Sequence, residues 1–352
     1  MARKRVTSHD VARLAGVSRT TVSLVLNDVP HTRIPEETRQ RVLDAATRLN
    51  YHPDAAARSL ATQQTRTIAL VLYQNANRIV GDAFLANAVR GLAEVAQEHG
   101  FRLLLHPIDE IGKSEAYISL VLENRIDGLI VSGPRSDDEQ LPRLRDDGFP
   151  VVLMGQLNGT GMHFVDVDNT AAAHRAVSHL IQLGHTRIGL ITNAPLAYTA
   201  SADRWRGYQQ ALAEADLPYV ESIIRYGSFD ATSGYSAMED LLSLPEPPTA
   251  TFIASDEVAT GALAALHEHD LAVPDGMAIV GFDDIPAARY LVPSLTTVHL
   301  PAYELGLCAA DMLIQLIRGE EVSEKGILLQ TELIIRESCG ERGGVGKEAG
   351  SH

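Results

Sequence analysis

The sequence has few of the features that mark secreted, metal-binding or membrane proteins. Its only two cysteines, Cys308 and Cys339, form no disulfide or metal-ligand pattern. No run of about 18 apolar residues occurs, which predicts that no segment spans a membrane. The first residues, MARKRVTSHD, lack the apolar stretch of a secretory signal peptide. We therefore expect a cytoplasmic protein with no membrane partner.

Positive charge is also scarce, except near the N-terminus. The chain of 352 residues has a formal net charge of −15. Residues 1–66 nevertheless carry 11 lysines and arginines against 6 acidic residues, whereas residues 67–352 carry 19 against 39. A basic N-terminal module on an acidic body favours a protein that contacts nucleic acid at one end only.

The N-terminal stretch HDVARLAGVSRTTVSLVLN has the pattern of two short helices joined at a glycine. Apolar residues recur at helical spacing in both halves, Gly16 permits the turn between them, and Ser18 can cap the second helix. Arg19 and Thr20 would lie on the outward face of that helix, where polar side chains contribute little to a core. The pattern predicts a helix-turn-helix, whose second helix enters the DNA major groove. An ordinary helical hairpin is the alternative.

A third amphipathic helix within EETRQRVLDAATRLNY completes a small domain, which we place at residues 1–51. The next segment, residues 52–66, contains DAAARSLA, a good helix former. A helix of only about two turns is marginal in water unless something packs on it. Residues 52–66 are therefore predicted to be a linker with a conditional helix.

From residue 67 onward, apolar strands alternate with helices of ten or more residues. This alternation predicts an α/β body of two doubly wound parallel-sheet lobes, with a ligand cleft at the carboxyl ends of the strands. The body is expected to span residues 67–338 and the Gly-rich, charged tail 339–352 to be disordered. The expected segments are about 67–166 plus 298–323 for the N-terminal lobe and about 167–295 plus 326–337 for the C-terminal lobe. A single final strand is expected at residues 327–336.

Three segments occur in an order and spacing that resemble the lactose-repressor (LacI/GalR) family. They are DVARLAGVSRTTVSLVLN, YHPDAAARSL and VGFDDIPAARYLVPSLTTVHLP, and the resemblance covers nearly the whole chain. It implies a periplasmic-binding-protein-like body and a homodimeric, allosteric regulator of transcription. Such a dimer would bind palindromic double-stranded operator DNA and hold an effector in the cleft, without a cofactor. The family's effectors are mostly sugars and sugar phosphates, so we expect a repressor of a carbohydrate-utilisation operon with a sugar or polyol effector.

The resemblance also implies roles for residues of the predicted head and linker. Base reading falls to the recognition-helix residues Arg19, Thr20 and Leu24. At Leu24 the family often has Arg or His, so this leucine either contacts a thymine methyl group or packs without touching DNA. Phosphate positioning falls to Thr7, Ser18, Thr21 and Asn27. The linker helix corresponds to the family's hinge helix, with Ala57, Leu60 and Ala61 at the minor groove and Leu60 as a wedge between base pairs.

Effector contacts are implied at several strand ends and helix starts of the body. In the C-terminal lobe they are Arg204, Ser255 and Asp283, and in the N-terminal lobe they are Phe84 and Ser132, with Gln74 and Arg135 as further candidates. Arg204 and Asp283 would orient ligand hydroxyls by charge-assisted hydrogen bonds, or alternatively form a purely structural salt bridge. Gly155 stands where the family frequently has Asp. Trp205 would either stack on a sugar ring or belong to the core.

Other functions remain as alternatives. Within the family, the effector would be a nucleobase or a protein partner. Outside it, the chain would be a sugar-binding protein or an enzyme without a regulatory role. His267 and His269 lie on divergent faces of one predicted helix and have no evident third partner, so no metal site is expected. Asp283 and Asp284 have no accompanying nucleophile or phosphate-binding loop, so no catalytic residue is expected.

Overall fold

The computed structural model describes residues 6–27, 33–51, 64–73, 82–108 and 115–340. The chain divides into two compact units, one ending at Arg66 and the other beginning at Thr67. This division falls at the predicted boundary between the linker and the α/β body.

The N-terminal unit contains the three predicted helices. They are α1 (Ser8–Ala15), α2 (Arg19–Leu26) and α3 (Glu36–Arg48). Gly16 ends α1 in the left-handed conformation (φ 67°), which glycine adopts without strain. Ser18 caps α2, because its side chain accepts a hydrogen bond from the backbone nitrogen of Thr21 at 3.0 Å. Val11, Val22 and Val42 of the three helices meet in a common core.

The body contains two six-stranded sheets, each the centre of one lobe. The first sheet has the order β11-β5-β4-β3-β1-β2, and all its neighbouring strands are parallel. Its strands are β1 (Thr67–Leu72), β2 (Arg102–Pro107), β3 (Gly128–Ser132), β4 (Val151–Met154), β5 (His163–Val167) and β11 (Gly326–Leu329). The second sheet has the order β12-β10-β9-β8-β6-β7, and only β12 is antiparallel to its neighbour. Its strands are β6 (Ile188–Thr192), β7 (Ile224–Tyr226), β8 (Ala250–Ile253), β9 (Ala278–Asp283), β10 (Thr296–His299) and β12 (Glu332–Ile334).

Helices cover the sheets, as the doubly wound pattern predicts. The N-terminal lobe holds α4 (Ala83–Glu98), α5 (Glu115–Leu122), α6 (Gln140–Asp146) and α11 (Ala302–Arg318). The C-terminal lobe holds α7 (Asn169–Gln182), α8 (Thr199–Glu214), α9 (Ala231–Leu242) and α10 (Asp256–Glu268). Helices α4 and α11 cross at Gly91 and Gly306, where a Cβ atom on either glycine would collide with the backbone of the other helix. Glycine at both positions lets the two backbones approach closely.

The C-terminal part of the chain differs from the prediction in three places. The expected single strand near 327–336 is two strands, because β11 completes the first sheet and β12 the second, with Gln330 and Thr331 between them. Strand β10 begins at Thr296 and pairs in the second sheet, so the chain returns to the N-terminal lobe only after His299. Strands β11 and β12 each pair with backbone groups of a neighbouring strand that would otherwise form an unpaired sheet edge.

The expected start of a disordered tail at residue 339 is also wrong. Ser338 and Cys339 are buried, and the Ser338 hydroxyl donates a hydrogen bond to the carbonyl oxygen of Ile279 at 2.7 Å. These contacts hold the chain against the C-terminal lobe beyond the predicted boundary. The remainder of the predicted tail, residues 341–352, lies outside the described residues.

Candidate functional site

The exposed face of α2 carries the residues that were predicted to read DNA. Arg19 and Thr20 are exposed at the start of the helix, and Arg19 forms no hydrogen bond or ion pair within the described part of the head. Leu24 lies one turn after Thr20, is half-buried and does not belong to the apolar cluster of the head. These three side chains therefore share an accessible face of a short helix, as base reading requires.

The four residues predicted to position phosphates lie at helix ends. Thr7 precedes the first turn of α1, where the side chain of Asp10 accepts hydrogen bonds from the backbone nitrogen and the hydroxyl of Thr7. The hydroxyls of Ser18 and Thr21 lie 2.9 Å apart at the start of α2, and Asn27 ends that helix. Backbone N–H groups at helix starts attract phosphate, so capping and phosphate contact are compatible at these positions. The predicted hinge residues Ala57, Leu60 and Ala61 lie outside the described residues.

A cleft lies between the two lobes of the body, at the carboxyl ends of their strands. Five predicted effector residues line it: Phe84, Ser132, Arg204, Ser255 and Asp283. Gln74 lies outside the described residues. Arg135 does not line the cleft, because its guanidinium is bound by Asp137 and lies 4.8 Å from the ring centroid of Tyr198. The prediction of Arg135 as a cleft residue is therefore wrong.

Arg204 projects from α8 into the floor of the cleft and is only 5% exposed. Its Nε donates to Asn169 Oδ1 at 2.9 Å and its Nη1 to the carbonyl oxygen of Ala254 at 2.6 Å. Nη1 also lies 3.6 Å from Asp283 Oδ1, and the guanidinium carbon lies 3.6 Å from the ring centroid of Phe282. These contacts hold the Arg204 side chain in one position. Its Nη1 lies between the carbonyl oxygen of Ala254 and the carboxylate of Asp283.

Asp283 ends strand β9 in a backbone conformation that L-residues rarely adopt, with φ 115°, and Asp284 follows with φ 53°. Asp256 holds this turn from below by accepting hydrogen bonds from Ile285 N at 3.0 Å and Thr297 Oγ1 at 2.6 Å. On the other side Asp284 accepts from Arg336 Nη2 at 2.6 Å. A strained turn held at both sides fixes the Asp283 carboxylate toward the ligand space.

Burial strongly affects the cleft carboxyls. It raises the pKa of Asp283 to about 7, against the opposing effect of the Arg204 charge. It also raises the pKa of Asp166, at the end of β5, to about 6. A carboxylate buried near other carboxylates costs free energy in the absence of a ligand, as is common at binding sites.

Several lining residues were missed by the sequence predictions. They are Tyr73, Asp82, Asp166, Asn169, Asn193, Tyr198, Phe229 and Glu257. Most of them end a strand or begin a helix, which is the general position of ligand contacts in α/β folds. That positional signal was available for Asn193, directly after TRIGLIT, and for Asp166 within FVDVD.

One side of the cleft is closed by direct contact between the lobes. The backbone nitrogen of Ser136 donates to Ala197 O at 2.8 Å, and that of Thr199 donates to Pro134 O at 3.1 Å. Between them, the ring of Tyr198 from the C-terminal lobe is buried in an apolar cluster of the N-terminal lobe, and its hydroxyl donates to Tyr73 O at 2.7 Å. We call the segments 134–138 and 197–199 the interlobe latch.

Two further residues singled out in the sequence have structural explanations. Gly155 follows β4 with φ 121°, and a Cβ atom there would lie 2.5 Å from Pro134 Cδ. Glycine is thus required by the backbone and by the latch, and no side chain fits at this position. Trp205 does not line the cleft, but packs on the apolar core with its ring centroid 6.5 Å from that of Tyr219. The alternative in which Trp205 belongs to the core is therefore correct.

No group of three or more potential metal-binding side chains is found in the described ranges of the chain. Within those same ranges, no helix has the length and apolarity needed to cross a membrane.

A helix-turn-helix head joined to a two-lobed α/β body, with a ligand-sized cleft between the lobes, defines a DNA-binding regulator. The chain belongs to the lacI family of bacterial regulatory proteins. That family's model matches residues 7–54, and a model described as a periplasmic binding protein-like domain matches residues 177–339. The predicted family and fold class are confirmed.

Relatives in the family match over almost their whole length. The HTH-type transcriptional regulator CelR of Thermobifida fusca is 34% identical, over 96% of this chain and 99% of the relative. The probable HTH-type transcriptional repressor ExuR of Bacillus subtilis is 33% identical, over 95% and 98%. The HTH-type transcriptional repressor PurR of Edwardsiella ictaluri is also 33% identical, over 95% and 97%. These relatives are transcriptional regulators and are not named as enzymes.

Solved structures agree with this assignment. The lac repressor dimer bound to operator and the anti-inducer ONPF superposes with a TM-score of 0.82 at 27% identity, covering 96% of this chain and 99% of that chain. A CelR–cellobiose complex superposes with a TM-score of 0.72 at 33% identity, covering 95% and 100%. The chain is thus a DNA-binding transcriptional regulator with the lac-repressor architecture.

The raised pKa of Asp283 predicts a pH-dependent cost to stability. A carboxyl whose pKa is raised keeps its proton in the folded state at pH values where the unfolded chain has lost it. Stability therefore falls as pH rises from about 4 to about 7, by at most about 1.4 kcal/mol per pH unit for one group. We expect Asp283→Asn to raise the melting temperature relative to the wild type more at pH 8 than at pH 5.

Thermal melts of the full chain at these two pH values test the prediction. Asp275→Asn, at an exposed position, is the control and should show no such difference. An Asp283→Asn effect of the same size at both pH values would contradict the titration of Asp283.

Proposed function

We propose that this regulator binds a palindromic operator as a homodimer and represses a carbohydrate-utilisation operon in the cytoplasm. Its effector is a sugar or polyol, held in the cleft between the lobes. Relatives of nearly equal identity carry different regulator names, so similarity alone does not identify the effector. The observation that carries the proposal is the cleft itself, where Arg204 and Asp283 lie 3.6 Å apart among further carboxyl, amide and hydroxyl groups.

The cleft residues match the chemistry of a sugar. Carboxylates and Asn or Ser side chains bind ligand hydroxyls by directional hydrogen bonds, and charged partners strengthen them. Phe84 and Phe229 also line the cleft and offer apolar ring surface for the C–H faces of a pyranose. The CelR–cellobiose complex provides a precedent for a sugar in a relative of the same architecture.

Communication from the cleft to the DNA follows from differential binding. An effector shifts the equilibrium between two arrangements of the lobes only if it binds one arrangement better than the other. In our proposal the lobe arrangement alters whether the hinge segments of the two protomers, with Ala57, Leu60 and Ala61, engage the minor groove. Coupling free energies of this kind correspond to changes of about 5–150-fold in operator affinity.

The head reads its operator through Arg19, Thr20 and Leu24, with phosphate contacts from Thr7, Ser18, Thr21 and Asn27. The exposed positions of Arg19 and Thr20 support this assignment. Arginine at the start of a recognition helix can bind guanine through two hydrogen bonds. Leu24 is accessible beside them for apolar contact with a thymine methyl group.

Arg19→Ala tests the base-reading role. We expect a loss of about 1–3 kcal/mol in operator affinity and relaxed preference at one base pair of each half-site. The operator is first selected from random duplexes with the full-length protein, and affinities are then measured by fluorescence anisotropy at fixed salt. Arg48→Ala removes the same charge from the exposed surface of α3 and is the control. Equal losses for both variants, on operator and unrelated DNA alike, would show that Arg19 contributes charge only.

A thermal-shift screen of the full-length protein against sugars, polyols and nucleobases tests the effector assignment. A ligand at 100 times its dissociation constant should stabilise the protein by about 2.7 kcal/mol. A sugar or polyol hit that Asp283→Ala abolishes supports the proposal. A hit among nucleobases, or none in any class, contradicts it.

A further inference from the structure

We infer that the cleft selects an uncharged, hydroxyl-rich effector and rejects its anionic counterparts, such as uronates and sugar phosphates. This inference rests on the proposed function, because it concerns the ligand of the same cleft. It distinguishes neutral from anionic carbohydrates. Membership of the family and the names of the relatives do not make this distinction. Three observations carry it: the charges that line the cleft, the engagement of Arg204 and an unpartnered acceptor.

The charges that line the cleft are mostly negative. Among the described residues of the lining, four are acidic: Asp82, Asp166, Glu257 and Asp283. Arg204 is the one arginine or lysine in the same set. A negatively charged ligand would thus enter a space whose fixed groups already repel one another, whereas a ligand hydroxyl donates to them.

The acidic residues come from both lobes. Asp82 caps α4 of the N-terminal lobe, while Glu257 begins α10 of the C-terminal lobe. Burial is the main cause that raises the pKa of Glu257 and of Asp283, and the charge of Asp82 across the cleft adds to both shifts. Like-charge repulsion between the lobes therefore opposes closure, and a ligand that donates hydrogen bonds to both sides offsets it. An anion would increase the same repulsion.

Arg204 is not available for a two-nitrogen grip on an anion. A guanidinium grips a carboxylate or phosphate with two nitrogens, either Nη1 with Nη2 or Nε with Nη2. In this protein Nε is used by Asn169 and Nη1 by Ala254 and Asp283. Each two-nitrogen grip would therefore break a buried contact that the protein already makes. Arg204 balances the carboxylates of the cleft, and no other lysine or arginine among the described lining residues offers a cationic subsite for a ligand anion.

A further observation concerns a buried acceptor in the wall of the cleft. Asn193 directly follows β6, lines the cleft and is only 6% exposed. Its Oδ1 is buried and has no hydrogen-bond partner among the described residues. Buried acceptors are almost always paired, and leaving one unpaired is costly. A ligand hydroxyl would supply the donor, whereas a ligand carboxylate or phosphate oxygen in its place would be a second acceptor.

The test compares matched neutral and anionic ligands on the full-length protein. Glucose, glucuronate and glucose 6-phosphate form one set, and galactose, galacturonate and galactose 6-phosphate form another. Cellobiose, pentitols and neutral nucleobases complete the panel. Binding is measured by isothermal titration at pH 7.5. We expect any anion to bind at least about tenfold more weakly than its neutral parent, which corresponds to only 1.4 kcal/mol of repulsion.

The double variant Asp82→Asn, Glu257→Gln tests the cause of the selection. Asparagine caps helices as well as aspartate does, and glutamine keeps the shape of glutamate, so the fold is retained. We expect the ratio between neutral and anionic affinities to shrink severalfold in this variant. Glu246→Gln, at an exposed position of the same lobe, is the control and should leave the ratio unchanged.

The outcomes separate this inference from the proposed function. An anion that binds as tightly as its neutral parent, or more tightly, overturns the charge selection but leaves a carbohydrate effector in place. A neutral nucleobase as the tightest ligand overturns the carbohydrate assignment and the hydroxyl-rich part of this inference. The charge selection then stands only if each sugar anion still binds at least about tenfold more weakly than its neutral parent. No binding anywhere in the panel overturns both.

Discussion

Arg204→Ala should abolish effector binding and destabilise the body by about 3–5 kcal/mol at pH 8. The reason is that Arg204 is buried among the carboxylates of Asp166 and Asp283, and its removal leaves them without their cationic neighbour. Because the pKa values of these two groups are raised to about 6 and about 7, both become largely neutral at pH 5. The stability loss should therefore be clearly smaller at pH 5, whereas the loss of effector binding should persist.

Thermal melts at both pH values and titration with the effector measure these effects separately. Arg206→Ala is the matched control, since it removes the same charge from the same helix at a half-exposed position. It should retain effector binding, and it is the control for binding only, because its partner Asp203 is buried and loss of the pair also costs stability. Normal effector affinity in Arg204→Ala would mean that the Arg204–Asp283 pair is only a structural salt bridge.

Tyr198→Ala should destabilise the interlobe latch about as much as Arg204→Ala destabilises the body. The ring of Tyr198 is 4% exposed, lies edge-on to Phe229 at 4.9 Å and is buried in the opposite lobe. Truncation of a buried aromatic ring of this kind costs about 3–5 kcal/mol. Since the latch closes one side of the cleft, its loss should also raise the population of molecules with open lobes. The apparent effector affinity should then fall in proportion to the fraction of molecules that remain closed.

Tyr198→Phe separates the ring from its hydroxyl. It removes the hydroxyl and with it the 2.7 Å hydrogen bond to Tyr73 O, so we expect a loss of about 1 kcal/mol. Small-angle scattering of the full chain with and without effector should show a larger compaction for Tyr198→Ala than for the wild type. Tyr219→Ala, on the exposed surface of the same lobe, is the control. Unchanged scattering and unchanged effector affinity in Tyr198→Ala would show that the latch does not hold the lobes closed.

The helices, the strands and their order could be predicted from the sequence because hydrophobic periodicity is a local property of the chain. Helices α1 to α3 and the βα alternation depend on spacing and caps that neighbouring residues supply. The division of the last predicted strand into β11 and β12 was not accessible in this way. It depends on which sheet edges are left unpaired after both lobes have formed, which is a tertiary property.

The candidate site was predicted only in part for the same reason. Arg204 and Asp283 were found because they lie in recognisable family segments. Tyr198 was missed, because its burial in the opposite lobe follows from lobe closure and leaves no local pattern. Arg135 was misassigned to the cleft, since nothing in the sequence shows that Asp137 and Tyr198 bind its guanidinium. The opposition of Asp82 and Glu257 likewise exists only when the two lobes face each other.

The most direct test of the account is operator affinity as a function of effector concentration. It uses the full-length protein, its selected operator and the neutral sugar that binds best, for the wild type and Asp283→Ala in parallel. We predict equal operator affinity without sugar, an affinity change of about 5–150-fold in the wild type and none in the variant. An identical response in both proteins, or no response in the wild type, would contradict control of DNA binding through this cleft.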